Sequence, residues 1–461
     1  MFISKLNIKN YKLFQTEDDF NIDLNIPDDK KCGTGLTVIV GENGCGKTTI
    51  LDAISLTLLE YKMDSFTIND MNNPNNETEI VVEADKKFIV KGTFPNTEFE
   101  SIGFKFIGKT RERKNKNKLL SLTVTDQFYI SVDPDKPKPS SPDLRVAVTN
   151  SFGTKRFSGS DVLYLDKNRL YQIRPGVYNS TRFDRIMEDF NFQYYKQNEE
   201  MQNLNLGLND LIKKGLQNEF LEDAVNKFSE ISGYNLKLDF IDNYKPFKNA
   251  KFVLETDNNL QIDLSDLGSG YEMIFSLIYS YYMSKQKGKR LIILIDEPEL
   301  HLHPKLQEKF IEFVIEISKE SQVILTTHSP LLVKQIAYYE DVKNIVLKKD
   351  RKVKKFEDRK LPYISSNETN YLAFGLPTEE YHNELYEELK FKYAEDKNIK
   401  TFDNEFFIQK NHEKPLYPYR GIENQVSLHT YIRNQIHHRS ENGVAKIDDL
   451  RRSILKMREY L

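Results

Sequence analysis

The segment 36–49 constrains the fold of this chain more than any other part of its sequence. Its residues are LTVIVGENGCGKTT, in which an apolar, β-branched run leads directly into the pattern G-x-x-x-x-G-K-T. The run Leu36–Val40 predicts a buried strand, and residues 50–56 predict a helix. A glycine-rich loop between a buried strand and a helix is the arrangement that binds phosphate groups.

The residue types in this loop suit separate tasks in phosphate binding. The glycines Gly41, Gly44 and Gly46 allow the backbone to curl, so that successive N–H groups point at phosphate oxygens. Lys47 would reach the β- and γ-phosphates of a nucleotide, and the Thr48 hydroxyl would contact Mg²⁺. The sequence therefore predicts a site for ATP and Mg²⁺. The loop residues assigned to that site are Gly41, Asn43, Gly44, Cys45, Gly46, Lys47, Thr48 and Thr49.

Composition argues against several classes of protein. The chain has 461 residues, a formal net charge of −3 and two cysteines. This charge does not suggest an obligate nucleic-acid coat, and Cys32 and Cys45 have no disulfide-framework or zinc spacing. The amino terminus lacks the continuous apolar core of a signal peptide, and no apolar run reaches the ~18 residues of a membrane span. We therefore expect a cytoplasmic protein with no membrane segment.

Two further apolar runs are followed directly by acidic or histidine side chains that could bind a metal ion or a phosphate. Residues 291–295 predict a buried strand that ends in Asp296 and Glu297. Adjacent buried acids are costly without a cation, which indicates a metal site. Asp296 would hold Mg²⁺ through its water shell, and Glu297 would polarise the attacking water. Residues 323–327 predict another strand, and His328 directly after it is predicted to contact the γ-phosphate.

Taken together, these segments resemble an ABC-type ATPase of the SMC/Rad50/RecF/OLD-like branch. Residues 263–272 resemble the family's signature motif, residues 299–304 its D-loop, and His328 its switch histidine. The resemblance covers residues 1–60 and 235–345. It implies an α/β fold: an ABC-type P-loop ATPase head with a mixed sheet, a β-rich and helical insertion, and a small α-helical carboxy-terminal region.

In that family ATP lies between two heads, with the phosphate loop of one subunit and the signature motif of the other on the same nucleotide. The resemblance therefore implies at least a homodimer, in which hydrolysis is tied to head engagement. The usual signature serine falls at Gly268 in this chain, and Ser269 follows one position later. The implied assignments are catalysis by Glu297, His328 and Lys47, metal binding by Thr48 and Asp296, and nucleotide contact by Ser269 and Gly270.

Four parts are predicted along the chain. Residues 1–60 form the first part of the head, with the phosphate loop, and residues 61–234 form an insertion that is first β-rich and then helical. Residues 235–345 complete the head with the signature, Walker B, D-loop and switch histidine. Residues 346–461 form a helical region that binds a partner or acts as an effector.

The carboxy-terminal part carries a possible second site. Residues 433–438 are RNQIHH, which matches the R-N-x-x-x-H pattern of HEPN-type ribonucleases. Arg433 would stabilise a phosphate, and His438 would act as acid or base on a 2′-hydroxyl. In a regular helix, however, His438 lies ~140° from Arg433, whereas His437 lies nearly on its face. This hypothesis therefore needs a distorted helix. The alternative is a polar helix face that makes salt bridges or partner contacts.

Local patterns also predict helices in this region. Ser427 is predicted to cap a helix over residues 428–438. In residues 447–461, apolar side chains recur at spacings of three and four, which is typical of a helix that packs on a neighbour.

The chain resembles the stand-alone ATPase subunits of bacterial anti-phage systems, such as AriA of PARIS and PtuA of Septu. This resemblance implies a homo-oligomer that hydrolyses ATP and holds or licenses an effector nuclease, of Toprim type in PARIS or HNH type in Septu. DNA and a phage protein are the candidate triggers, and the sequence does not choose between them. After residue 345 the sequence has no Toprim-type acidic cluster and no H-N-H spacing, so we assign no DNA cleavage to this chain.

Two other functions stay open at this stage. A repair-type ATPase of the RecF kind would bind DNA directly, through Lys109–Lys118 or Lys348–Lys360. An ATP-gated ribonuclease would use Arg433 and His438 and would cleave RNA alone.

Overall fold

The computed structural model forms two compact units. The first comprises Met1–Leu332 and Tyr339–Val353, and the second comprises Val333–Tyr338 and Lys354–Leu461. The residues that the structure describes are 2–17, 20–59, 65–85, 99–112, 120–132, 162–167, 170–171, 180–181, 219–240, 250–255, 261–263, 268–286, 288, 290–348, 350, 352–355, 359–363, 365–419, 421–438 and 443–461.

The strands, in chain order, are β1 (Ile3–Lys9), β2 (Phe20–Asp23), β3 (Leu36–Gly41), β4 (Thr78–Ala84), β5 (Phe99–Glu112), β6 (Leu120–Val132), β7 (Val162–Leu165), β8 (Leu170–Tyr171), β9 (Ser180–Thr181), β10 (Asn235–Phe240), β11 (Ala250–Glu255), β12 (Gln261–Asp263), β13 (Ile292–Asp296), β14 (Gln322–Thr327), β15 (Lys343–Leu347), β16 (Val353–Lys355), β17 (Tyr417–Tyr419) and β18 (Ile422–Val426).

The α-helices are α1 (Lys47–Leu58), α2 (Glu219–Ser232), α3 (Ser269–Gln286), α4 (Pro304–Ile317), α5 (Pro330–Ile336), α6 (Ser366–Phe374), α7 (Glu379–Ala394), α8 (Ile399–Phe402), α9 (Leu428–His437) and α10 (Ile447–Tyr460). Within the described residues, short 3₁₀ turns span Ile68–Asp70 and Pro298–His301, and a π-helical segment spans Asp403–Lys410.

A six-stranded sheet with the order β16-β15-β3-β14-β13-β7 forms the centre of the first unit. The pairings of β15 with β3, β3 with β14, β14 with β13 and β13 with β7 are all parallel. Every residue of β3, β13 and β14 is buried, as expected for continuous apolar runs covered on both faces. Because carboxyl ends of parallel strands meet at one edge, the loops after β3, β13 and β14 come together there.

Strand β7 joins this sheet from the middle of the range that the sequence assigns to an insertion. Val162 pairs with Ile292, and Leu165 pairs with Ile295. The range 61–234 therefore contributes an edge strand to the central sheet, and its β4, β5 and β6 extend a second sheet.

That second sheet is antiparallel, with the order β2-β1-β4-β5-β6, and α1 packs between the two sheets. Most residues of α1 are buried, and Ile50, Leu51 and Ile54 belong to one hydrophobic core with residues of both sheets. The helix that follows the predicted phosphate loop is thus fixed by packing on two sides. A buried glutamine also hydrogen-bonds the two sheets to each other. The side-chain oxygen of Gln322, on β14, accepts from the N–H of Ile3 on β1 at 2.8 Å, and its side-chain nitrogen donates to the carbonyl of Ile3 at 2.6 Å.

The second unit is mainly helical and has its own core. Leu385, Tyr386, Ile432 and Ile454 are fully buried in it, on α7, α9 and α10. Ser427 caps α9 as predicted, because its side chain accepts a hydrogen bond from a backbone N–H of the first turn. Within the described part of the chain, no helix has the length and apolar character needed to cross a membrane.

Candidate nucleotide-binding site

The loop between β3 and α1 has the backbone geometry that its glycines predict. Gly44 and Gly46 adopt left-handed conformations, with φ of 77° and 106°. At Gly41 a Cβ atom would lie 2.2 Å from the carbonyl oxygen of Leu347, so no side chain fits there. Of the other predicted loop residues, Cys45 and Thr49 are buried, and Asn43 is exposed.

The Lys47 side chain is buried beneath this loop. Its ammonium donates to the carbonyls of Gly41 and Glu42, at 3.0 and 3.1 Å, and lies 2.7 Å from His328 Nε2. Burial lowers the pKa of Lys47, because its charge is removed from water. A buried cation whose hydrogen-bond partners are carbonyls and an imidazole ring can accommodate an anion.

Asp296 lies at the end of β13, next to the same loop. Both of its carboxylate oxygens accept from the Thr48 hydroxyl, at 3.1 and 3.0 Å, and Oδ1 also accepts from the Thr326 hydroxyl at 2.6 Å. The side chain is fully buried, and burial raises its pKa despite the hydrogen bonds from these two hydroxyls. Carboxylate and hydroxyl oxygens are the donor atoms that Mg²⁺ prefers, so Thr48 and Asp296 fit that ion.

Glu297 and His328 complete a group around Lys47. His328 Nε2 lies 3.0 Å from Glu297 Oε1 and 2.7 Å from Lys47 Nζ, so this nitrogen either donates to the carboxylate or accepts from the ammonium, depending on the tautomer. The pKa of His328 is lowered, mainly by burial and then by the charge of Lys47. Glu297 has a left-handed backbone with φ of 45°, which is strained for a residue with a side chain. The structure therefore brings together the three residues predicted to be catalytic.

Two further acidic residues lie next to this group: Glu299, which the sequence placed in the predicted D-loop without a contact at this site, and Asp52, which was missed in the sequence. Glu299 accepts a hydrogen bond from the backbone N–H of His328, and burial raises its pKa. Asp52 accepts from Lys12 at 2.6 Å and from the Tyr164 hydroxyl at 3.0 Å. The position of Asp52, four residues after Thr48 on one helix face, is a signal that could have identified it.

Ser269 and Gly270 lie elsewhere in the unit, at the start of α3. Among the described residues, the hydrogen-bond partner of the Ser269 hydroxyl is His301, at 2.7 Å from Nδ1. A Cβ atom at Gly270 would lie 2.2 Å from the carbonyl oxygen of His301. The structure thus places these two residues against the predicted D-loop rather than in the group around Lys47. Residues 264–267 of the predicted signature lie outside the described residues.

In the second unit, α9 is a regular helix that ends at His437, and His438 follows as its C-cap residue. Arg433 Nη2 lies 3.8 Å from Glu387 Oε1, and His437 Nε2 lies 2.8 Å from Asn383 Oδ1. Both contacts are with α7. The distortion that would bring His438 to the face of Arg433 does not occur, and the geometry favours a polar helix face that packs on a neighbour.

A buried polar group in the second unit predicts that the stability of this unit depends on pH. The Ser453 hydroxyl lies 2.8 Å from His382 Nε2 and 2.7 Å from His429 Nδ1. Complete burial, with a smaller effect of His429, holds the pKa of His382 well below its usual range. The unfolded chain binds a proton at His382 near pH ~6.5, whereas the folded unit does not. The free energy of unfolding should therefore fall as the pH drops below ~6.5, by up to about 1.4 kcal/mol per pH unit.

Pulse proteolysis in urea at pH 7.5 and 5.5 measures this dependence, if fragments of the second unit are identified by mass spectrometry. His382→Gln, whose amide can still donate to Ser453 but does not titrate, should show a smaller loss of stability at pH 5.5. His412→Gln, at an exposed histidine, is the matched control. An equal loss in wild type and His382→Gln would exclude His382 as the source.

Comparison with known proteins gives a match over most of the chain. A family model described as "AAA domain, putative AbiEii toxin, Type IV TA system" matches residues 36–334. That range contains the phosphate loop, the Asp296–Glu297 pair and His328.

Three individual relatives are each less than 30% identical to this chain in sequence. The OLD nuclease of Thermus scotoductus is 27% identical over 359 residues, which cover 71% of this chain and 59% of that protein. The "Retron Ec83 probable ATPase" of Escherichia coli is 24% identical over 415 residues, covering 76% of this chain and 71% of that protein. Septu protein PtuA of Bacillus mycoides is 23% identical over 335 residues, covering 72% and 38%. The chain therefore spans less than two thirds of the OLD nuclease and of this PtuA.

Proposed function

Because the chain belongs to the AAA domain family whose model matches residues 36–334, we propose that it binds and hydrolyses ATP with Mg²⁺. In this proposal it is the ATPase subunit of a bacterial anti-phage defence system. The resemblance predicted from the motifs, to OLD-like ATPases and to PtuA of Septu, is confirmed by the relatives.

The observation that carries the ATPase proposal is a buried ammonium and a buried carboxylate that lie close together at one edge of the central sheet. The buried Lys47 ammonium has carbonyl and imidazole partners, and the buried Asp296 carboxylate has hydroxyl partners. A nucleotide phosphate would neutralise the first and Mg²⁺ the second. A ligand that supplies both together is Mg²⁺-bound ATP.

The side chains of the site have distinct tasks in this proposal. Lys47 and the loop N–H groups would bind the phosphates, and Thr48 and Asp296 would hold Mg²⁺, which neutralises charge that develops on the transferred phosphoryl group. Glu297 would accept a hydrogen bond from the attacking water and orient it. His328, held between Lys47 and Glu297, would contact the terminal phosphate and keep that carboxylate in place.

The position of Ser269 and Gly270 supports a second part of the proposal. They lie at the N-terminus of an 18-residue helix, where backbone N–H groups favour an anion, but not beside Lys47 of the same chain. We infer that a second copy of the chain brings these residues to the nucleotide. The active form would then be at least a homodimer, with ATP between two heads.

The defence proposal rests on the relatives. One of them is a Septu protein and another is named as a retron ATPase. By this resemblance, the oligomer would hold or license an effector nuclease, of Toprim or HNH type, and DNA or a phage protein would be its trigger. Direct DNA binding by a repair-type ATPase has less support in the described residues, because Lys109 is paired with Glu77 at 2.7 Å. Residues 113–118 of that basic run lie outside the described residues.

The experiment is purification of the tagged Glu297→Gln protein from its native cell with ATP, followed by native mass spectrometry. The proposal predicts a multimer of this chain with a nuclease in fixed stoichiometry. Lys47→Met, whose affinity for ATP should be strongly reduced, is the control for dependence on the nucleotide. A bare dimer that retains nucleic acid would contradict the defence proposal and favour the repair-type ATPase. Cut RNA in that sample would favour the ribonuclease hypothesis.

A further inference from the structure

The Ser269 hydroxyl and the His301 imidazole form part of a short chain of hydrogen bonds. Ser269 Oγ lies 2.7 Å from His301 Nδ1, and His301 Nε2 lies 3.0 Å from the carbonyl oxygen of Lys167. Ser269 is the first residue of α3, and His301 is the last residue of the 3₁₀ turn Pro298–His301. The close approach of Gly270 to the His301 carbonyl keeps these two elements in contact.

The chemistry of these atoms sets the direction of the hydrogen bonds. The carbonyl oxygen of Lys167 can only accept, so His301 Nε2 must carry a proton. In the neutral ring Nδ1 is then an acceptor, and Ser269 donates its single hydroxyl proton to it. A phosphate oxygen also needs a donor, so the Ser269 hydroxyl cannot serve His301 and a phosphate at the same time.

The same 3₁₀ turn is tied to the candidate site at its other end. Glu299, two residues before His301, accepts a hydrogen bond from the backbone N–H of His328 at 2.5 Å. His328 in turn lies against Lys47 and Glu297. One four-residue turn therefore connects the Ser269 hydroxyl to the side chains around the phosphate loop of its own chain.

We propose that His301 is a positioning residue that holds the Ser269 hydroxyl away from the nucleotide until a phosphate bound to a second copy competes for its proton. This inference rests on the proposed function, because it needs two copies that share ATP. Its consequence is that association costs one hydrogen bond at each Ser269. His301 thereby weakens the ATP-bound dimer and favours its dissociation into single chains.

The test compares ATP-dependent self-association of variants in the Glu297→Gln background by sedimentation velocity. His301→Phe keeps a ring but removes the acceptor, so the Ser269 proton is available to phosphate. We expect association at least about 10-fold tighter, since each net hydrogen bond of this kind corresponds to a ~3- to 10-fold change and a dimer contains two Ser269 hydroxyls. A residue with a merely structural task would give weaker association. His412→Phe, at an exposed histidine of the second unit and outside every predicted motif, should have no effect.

A double-mutant comparison assigns the effect to the hydroxyl. In a Ser269→Ala background, His301→Phe should no longer tighten association, because there is no proton to release. The inference is wrong if His301→Phe leaves association unchanged, weakens it, or tightens it equally without the hydroxyl. Thermal unfolding of each variant identifies any that fail to fold.

If His301→Phe does not fold, the ¹⁵N NMR chemical shifts of wild-type protein labelled with ¹⁵N-histidine test the direction of the hydrogen bond between Ser269 and His301. They should show a protonated Nε2 and an unprotonated Nδ1 at His301, assigned by comparison with His301→Gln, and a protonated Nδ1 would overturn the inference. If Glu297→Gln does not associate with ATP, the proposed dimer fails. The nitrogen shifts still test the direction of the hydrogen bond independently.

Discussion

A Glu297→Gln variant should bind ATP normally and lose about 100-fold or more of its turnover, because the carboxylate that orients and polarises the attacking water is removed. The amide is nearly isosteric and can still meet His328, whose Nε2 lies 3.0 Å from Glu297 Oε1 in the wild type. The left-handed backbone at Glu297 is held by a hydrogen bond from its N–H to the carbonyl of Thr326, and this bond does not involve the side chain. The loss should therefore be chemical rather than structural.

Steady-state phosphate release and ATP binding, measured on the same preparation, separate these effects. Glu308→Gln, at an exposed acid on α4, is the matched control and should keep full turnover. Unchanged turnover in Glu297→Gln would remove Glu297 from the catalytic assignment. Loss of ATP binding along with turnover would indicate a structural task instead.

A Lys47→Met variant should lose ATP affinity by about 100-fold or more, because two charge-assisted hydrogen bonds to phosphate are removed. The nucleotide-free protein should not be destabilised. Its buried ammonium is hydrogen-bonded to carbonyls and an imidazole, and burial already lowers its pKa. The methionine has a similar length without the charge, so the cost of burying that charge disappears.

Lys47→Met should therefore lower the affinity for ATP without lowering the stability of the nucleotide-free protein, and this combination distinguishes a phosphate-binding lysine from a structural one. Calorimetric titration with ATP and thermal unfolding without nucleotide measure the two quantities. Lys305→Met, at an exposed lysine on α4, should change neither. A nucleotide-free Lys47→Met protein that melts well below wild type would show that Lys47 stabilises the fold, and retained affinity would contradict its assignment to the phosphates.

Features set by local pattern could be predicted from the sequence. The apolar runs that begin at Leu36, Leu291 and Val323 became β3, β13 and β14, each shifted by no more than one residue at either end. The α/β P-loop fold is confirmed by this sheet. Ser427 was predicted to cap a helix from a single side chain, because an N-cap needs only its own first turn.

Features set by distant pairing could not be predicted in this way. The four-residue strand β7 has no local sign that it pairs with β13, whose first residue comes more than a hundred positions later. The partners of Asp52 and Glu299 come from other segments for the same reason. The apolar spacing in α10 predicted its packing face only in part. Leu450, Ile454 and Met457 are buried as predicted, but Ile447 is 60% exposed.

In the proposed function, ATP binds in the group around Lys47 and is enclosed by a second copy of the chain. The most direct test is native mass spectrometry of purified Glu297→Gln with Mg²⁺ and ATP, and again without ATP. We expect ATP to raise the oligomeric state, with two ATP molecules retained by each pair of chains. Chains that bind ATP but keep the same oligomeric state as without it would show that a second copy does not enclose the nucleotide.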